Sequence, residues 1–393
     1  TGFSKMIGGN QVEEVFDMQT KDGDTYLLGT TRSANFPSTN GSTYKGNLDM
    51  TLTRFDGSGN ILYATYIGGL GNDFPTAMEI INGEVFITLY TDSINFPVTN
   101  GSVFRGRRDI VALKINAGGN IQFATYLGGS ANDIPAFKAL RIVNNRMIIA
   151  GTTSSSNFPV TIPTFYQGGV SDTYAAVLDA QTGNLLASRF WGGNKEDFLQ
   201  GALFDNNSIY LLGSSKSSDI PCSIGGPLSD SQNIFLAKMN ITDLGVQYSR
   251  YLGGSKEDQM TQFIIADSML QVTGYTSSAD FPSTNGTTAT SVLNDLYDGF
   301  FTRFNPDGNI QFSSYLTTED RDNPVKILTE SGNTYVGGTS VSIDGKKFLS
   351  LFKIGQSGNI IYNRKYQIGT SSNNNISPSF NLLNDGILIS GIT

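Results

Sequence analysis

The stretch Ile61-Leu62-Tyr63-Ala64-Thr65-Tyr66-Ile67-Gly68-Gly69 returns almost unchanged as Ile121-Gln122-Phe123-Ala124-Thr125-Tyr126-Leu127-Gly128-Gly129. Looser copies are LLASRFWGG ending at Gly193, VQYSRYLGG ending at Gly254, IQFSSYLTT ending at Thr318 and IIYNRKYQIG ending at Gly369. The N-terminal TGFSKMIGG, ending at Gly9, is a further copy, with Phe3 in the place of Tyr63 and Phe123. A motif returning roughly every sixty residues marks a supersecondary unit copied along the chain.

Each copy is surrounded by the same signals in the same order. A first strand follows the Gly-Gly, as in Thr76 to Ile81; a second ends in Gly-Thr or Gly-Ser, as in Thr25 to Thr31, Arg146 to Thr153, Ser208 to Ser215 and Gly386 to Thr393. A third runs from Asp49 to Phe55, Asp109 to Ile115 and Asp298 to Phe304, and the quoted aromatic segment is the fourth. All are short and rich in β-branched or aromatic residues. A Gly-Asn turn joins third to fourth strands at Gly59, Gly119, Gly183, Gly308 and Gly358, supplying residues that tolerate positive φ.

Four antiparallel strands repeated seven times predict an all-β fold, a seven-bladed β-propeller forming one domain over residues 1–393. The blades fall near 10–69, 70–129, 130–193, 194–254, 255–318, 319–369, and 370–393 plus 1–9. The last blade is expected to be closed by the N- and C-terminal strands, which would remove the edges of an open array. That blade lacks a recognisable third strand, so it is either short or completed by chain beyond Thr393; a start at Thr1 suits a processed protein or a fragment.

Composition narrows function. The chain has 34 acidic and 26 basic residues and a net charge of -8, which disfavours nucleic acid or an anionic membrane as partner. No apolar run is long enough for a membrane helix, so direct membrane insertion is not expected. There is no histidine, which excludes Ser-His-Asp and Cys-His chemistry and His-based zinc motifs, and the single Cys222 excludes an intrachain disulfide.

The spaced elements resemble the bacterial β-propeller repeat abbreviated SBBP. The residues that carry the resemblance are Tyr66 to Asp73, Tyr126 to Asp133 and Tyr251 to Asp258; the Phe-Pro pairs Phe36-Pro37, Phe96-Pro97, Phe158-Pro159 and Phe281-Pro282; and Asp49 with Arg54, Asp109 with Lys114 and Asp298 with Arg303. The sixth copy departs from the pattern, with Thr317-Thr318 for Gly-Gly and no Phe-Pro after Thr339-Ser340. The resemblance implies an exported or cell-surface protein, often a module of adhesive or secretion-associated proteins, and no shared catalytic activity.

The candidate site residues are Asp73, Asp133, Asp197, Asp258 and Asp322, which recur at the start of the first strand. They are expected to satisfy backbone N–H groups of their own turns, the alternative being a ring that holds a cation such as calcium. The Phe of each Phe-Pro pair is expected between neighbouring blades, the Asp and Lys/Arg of the third strand in polar contacts on the outer strands, and Trp191 as a wedge within its blade, the alternatives being a ligand groove and a sugar platform. Sequons occur at Asn40, Asn100, Asn206, Asn240, Asn285 and Asn375. No catalytic residue, metal or cofactor is expected. The reading is a non-catalytic scaffold, extracellular or on the cell surface, that binds a protein or a surface glycan through its long loops. Two alternatives stand beside it: a fixed subunit of an outer-membrane secretion or gliding complex or of a filament, and a carbohydrate-active enzyme.

Overall fold

The computed structural model describes the chain except for residues 1–3, 206, 226–230, 290–296, 318–320, 343, 370–378, 384–385 and 391–393. Every regular element among the described residues is a strand. Six antiparallel sheets have four strands each, adjacent in space in the order in which they occur in the chain.

The first sheet holds β1 (Glu13–Lys21), β2 (Asp24–Thr31), β3 (Asp49–Phe55) and β4 (Ile61–Ile67). The second holds β5 (Asp73–Ile81), β6 (Glu84–Thr91), β7 (Asp109–Ile115) and β8 (Ile121–Leu127). The third is β9 (Asp133–Val143), β10 (Arg146–Thr153), β11 (Asp172–Asp179) and β12 (Leu185–Trp191), and the fourth β13 (Asp197–Phe204), β14 (Ser208–Ser215), β15 (Asn233–Asn240) and β16 (Val246–Leu252). The fifth comprises β17 (Asp258–Ala266), β18 (Met269–Thr276), β19 (Asp298–Phe304) and β20 (Ile310–Leu316), and the sixth β21 (Arg321–Glu330), β22 (Asn333–Val341), β23 (Lys347–Ile354) and β24 (Ile360–Gly369).

Among the described residues the expected seventh four-stranded blade is not formed. Its place in the sequence carries a two-stranded pair, β25 (Ser379–Leu383) and β26 (Gly386–Ser390), and residues 4–9 form no strand. The physical reason lies in the third strand: a fourth strand needs a neighbour to accept its ladder of hydrogen bonds, and none is present among the described residues. Phe3, expected to act like Tyr63, lies outside the described residues.

The chain divides into two compact units, Thr1–Leu211 with Met239–Val246 and Leu212–Lys238 with Gln247–Thr393. In the first unit, sheets pack face to face through apolar side chains. Leu28, Met50 and Leu52 of the first sheet meet Val85, Ile87, Val111 and Leu113 of the second. The opposite face of the second sheet, Phe86, Ile110 and Ala112, meets Met147, Ile149, Tyr174 and Ala176 of the third. A middle sheet is thus covered on both faces, which is why β7 is buried at every position instead of alternating. The second unit repeats this between Phe301 and Phe312 of the fifth sheet and Val336, Phe352 and Ile354 of the sixth.

The turn between third and fourth strands also contributes to stacking. Gly119 has φ +83°, and a Cβ there would lie 2.8 Å from the Tyr63 ring of the preceding sheet; Gly183, at φ +73°, stands in the same relation to Phe123. Glycine is required there twice, for the backbone conformation and for the close approach.

Candidate functional site

The recurring aspartates begin the first strands and are buried. Asp73 accepts three hydrogen bonds: Oδ2 from the Gly69 N–H (2.9 Å) and the Ser93 hydroxyl (3.1 Å), and Oδ1 from the Thr91 hydroxyl (2.5 Å). Asp133 repeats the pattern with Gly129 (2.7 Å), Ser155 (2.9 Å) and Thr153. Asp258 accepts from Gly254 (2.7 Å) and Ser278 (3.1 Å), and Asp197 from Gly193 (2.6 Å). Asp322 is buried at the start of β21, where its N–H donates to the Tyr297 carbonyl. In the first copy the position falls to Glu13, which accepts from Thr31 (2.9 Å). Glu13 escapes a search for Asp, although it stands four residues after Gly9 as Asp73 does after Gly69.

Each network extends to the Phe-Pro element. The Tyr126 hydroxyl donates to the Ser93 carbonyl (2.5 Å) and accepts from the Phe96 N–H (2.9 Å), while the Ser93 N–H donates to the Thr91 hydroxyl (2.8 Å). Gly-Gly-x-x-x-Asp, Gly-x-Thr-x-Ser and Phe-Pro are therefore parts of one buried assembly within the sheet. The donors already aimed at Asp73 occupy the lone pairs that a bound cation would need.

A second carboxylate stands beside the first. Asp49, at the start of β3, accepts from the Lys45 (2.8 Å) and Gly46 (3.1 Å) N–H groups, and Asp109 accepts from Arg105 (2.7 Å). A Cβ on Gly68 would lie 2.7 Å from Asp49 Oδ1 and 2.6 Å from Asp73 Oδ2, and Gly128 lies in the same way between Asp109 and Asp133. Burial pushes Asp73, Asp109 and Asp258 up to about 6, against their hydrogen bonds, and Asp49 adds to the rise at Asp73 as Asp133 does at Asp109. Of the third-strand Asp and Arg, both expected in polar contacts on the outer strands, Arg54 makes contacts on the outer flank and Asp49 does not. Asp49 is tied to its loop, whereas Arg54, on the outer flank, pairs with Asp24 (2.6 Å) and donates to the Ala117 carbonyl of the second sheet (2.9 Å).

The long connections between second and third strands do more than project from the sheet. After Phe-Pro they run along the outer strand and cover its edge. Thr39 donates its N–H to the Ala64 carbonyl and accepts the Ala64 N–H on its hydroxyl, and Ser42 accepts the Tyr66 N–H (2.8 Å). Thr99 and Ser102, Thr161 and Thr164, and Thr284 and Thr287 do the same for β8, β12 and β20. Three sequon asparagines belong to this clamp, Asn40, Asn100 and Asn285 donating their amides to Thr65, Thr125 and Ser314. Asn206 and Asn375 lie outside the described residues. The sixth sheet has no counterpart among the described residues, because the Ser342 to Lys346 connection closes on itself. Phe36, Phe96, Phe158, Phe281 and Trp191 are all buried.

A different place in the first unit is open. A cavity of about 320 Å³ lies over the first strands of three consecutive sheets, lined by Glu14 and Phe16 of β1, Phe74 of β5, Tyr90 of β6 and Phe137 of β9.

Sequential four-stranded meanders tied by one repeated buried network define a propeller-like repeat protein. No family model matches the chain. The regulatory protein FlaEY of Caulobacter vibrioides is 25% identical to it over 337 residues, 73% of this chain and 35% of that protein, so the chain spans about a third of that relative's length. Among solved structures, similarity extends to the polysaccharide lyase Uly1, with TM-score 0.46 over 99% of this chain and 88% of that one, and to hydrazine synthase of Kuenenia stuttgartiensis, with 0.40 over 85% and 100%. Quinohemoprotein alcohol dehydrogenase from Comamonas testosteroni gives 0.35 over 88% and 70%, and all three are 10% identical.

Proposed function

We propose that the chain is a non-catalytic propeller module of an exported or cell-surface bacterial protein, holding a protein or glycan partner on the side of its long connections. The observation that carries this reading is the distribution of exposed apolar side chains. Leu70 stands between fourth and first strands, and Ile94, Val103, Phe165 and Val170 between second and third strands, with Ile94 74% and Phe165 75% exposed. Exposed apolar side chains carried on the loops of a rigid scaffold are available to a partner. The repeated carboxylates, by contrast, are committed to the sheets. Replacing Ile94, Val103 and Phe165 by serine should abolish capture of the partner from the extracellular fraction of the source organism without changing the melting temperature. Unchanged capture would remove the basis for this reading.

The finer architecture belongs to the same proposal. β25 and β26 correspond to the first and second strands of a seventh blade, and the Gly9 element already makes its family of contacts: the Asn10 N–H donates to Asn35, the Gln11 N–H to Ser33 and the Lys5 ammonium to the Gly59 carbonyl. Small-angle scattering should give a closed disc, and an arc would refute closure. A second reading, a fixed subunit of a larger assembly, is favoured by the outer strand β24, which has no clamp among the described residues and exposes Ile361 and Tyr366. Such a strand invites pairing with another chain. A proline at Arg364 should disrupt that assembly, and an undisturbed complex would count against it.

A further inference from the structure

The first strands β1, β5, β9, β17 and β21 each carry a β-bulge at one place, but the bulge of β9 is different. In β5 a single residue, Thr76, is left between the paired Pro75 and Ala77; β17 leaves Thr261 in the same way, and β21 leaves Val325. In β9 the paired residues are Pro135, opposite Gly151, and Leu140, opposite Ile149. Four residues, Ala136 to Ala139, thus stand against the single Ala150, with Lys138 at φ +57°. Bulges re-aim side chains and gather beside binding sites. This one sends Phe137 across the intervening strand β5, so that its ring meets that of Phe16, the bulged residue of β1, at 4.8 Å and 60°. Lys138 reaches Asp17 of β1 at 4.0 Å.

The two bulges form one wall of the cavity already described. Phe74, stacked on Tyr90 at 5.0 Å and 20°, forms another. Phe137 is 54% exposed and the other three rings are half-buried; the Lys138 ammonium stands 5.6 Å from the Phe137 ring centroid and the Arg108 guanidinium 5.5 Å from that of Tyr90, so the partly exposed Phe16 and Phe74 rings are the aromatic surface without a basic neighbour of this kind. The charged side chain in the lining is a carboxylate, Glu14. Thr76, a polar neighbour, has its hydroxyl engaged with Thr88.

We propose that this cavity binds an organic ammonium ion bearing methyl groups, such as a choline-type headgroup. Aromatic faces attract a diffuse cation through their quadrupoles, and Glu14 supplies the countercharge. A hydrated inorganic cation would need several oxygen ligands that the lining does not offer, and an anion would meet Glu14. A sugar would find Glu14, Thr30 and the Tyr90 hydroxyl as polar partners, and methyl glucoside in the titration distinguishes it from a cation. The site is small, which suits a headgroup. The inference is independent of the loop-side reading, because none of the residues invoked here belongs to those connections.

The test is calorimetric titration of the full chain with choline, with its neutral carbon isostere 3,3-dimethyl-1-butanol and with methyl glucoside. Choline should bind saturably and about tenfold more tightly than the isostere. Glu14→Gln should narrow that ratio, and Phe137→Ala should abolish binding; both residues are exposed, and unchanged melting temperatures will show that the variants fold. Absence of saturable choline binding overturns the proposal, as does equal affinity for choline and the isostere. Binding of methyl glucoside in place of choline overturns it too.

Discussion

Replacing Gly68 by alanine should destabilise the first unit by about 3 kcal/mol, although the substitution adds only one methyl group. The new Cβ would lie 2.6 Å from Asp73 Oδ2 and 2.7 Å from Asp49 Oδ1. A methyl carbon and an oxygen need a little over 3 Å, so both carboxylates would have to retreat by roughly half an ångström. Neither can do so freely. Asp73 Oδ2 is held by the Gly69 N–H and the Ser93 hydroxyl, and Asp49 Oδ1 by the Gly46 N–H. Loosening two or three hydrogen bonds to buried carboxylates costs about 1–1.5 kcal/mol each, which sets the magnitude. Gly41→Ala is the control: its φ is +76° but nothing lies within 4 Å of its Cβ, so only backbone strain of about 1 kcal/mol applies. Urea unfolding followed by the fluorescence of Trp191, the one tryptophan and a residue of the same unit, reads both variants. If Gly68→Ala costs no more than Gly41→Ala, the carboxylates are not held as described and the explanation for the Gly-Gly motif fails.

Three further outcomes follow from the same contacts. Asp73, Asp109 and Asp258 are pushed up to about 6, so the folded chain binds protons that the unfolded chain releases between about pH 4 and 6. Their contribution, about 3 kcal/mol per group, is present below pH 4 and lost as pH rises through 6; thermal melts should rise on acidification from pH 7 to pH 5, and Asp109→Asn should flatten that slope. Tyr126→Phe leaves the buried Phe96 N–H with only its long contact to the Ser93 carbonyl (3.5 Å) and should cost about 2 kcal/mol in urea unfolding, while a loss below about 0.5 kcal/mol would show that this carbonyl is acceptor enough. Ser42→Ala removes the acceptor for the Tyr66 N–H on the outer edge of β4, so light scattering should show increased self-association; a variant that stays as monomeric as the parent would mean that the clamp does not protect the edge.

The repeat made strand order legible because each strand carries its own turn and pairs with its neighbour in the chain. It was less informative wherever the meaning of a residue depended on another sheet. Thr39 and Ser42 read as loop residues, since nothing local says that a loop will lie along β4 and replace a missing strand. Asp49 and Arg54 are both expected in polar contacts on the outer strands, yet strand alternation places them in different environments, one in a buried turn and the other on the flank. The N-terminal TGFSKMI has the composition of a fourth strand, but pairing requires a third strand that composition cannot supply.

The insertion at Phe137 and Lys138 was hidden for a related reason. Ala136-Phe137-Lys138-Ala139 reads as ordinary strand sequence, so only the register against β10 shows that four residues stand between paired positions where β5 has one. In a repeated fold, what recurs and what departs have different physical causes. Asp73, Thr91, Ser93 and Tyr126 recur because each sheet must satisfy the same buried groups, and their recurrence is explained when those hydrogen bonds are drawn. Phe137 satisfies no such need: it is exposed, it makes no ladder bond, and an Ala at the bulge would leave the sheet intact. A large apolar side chain held out of its own sheet and set against Phe16 is instead what a ligand-binding wall requires.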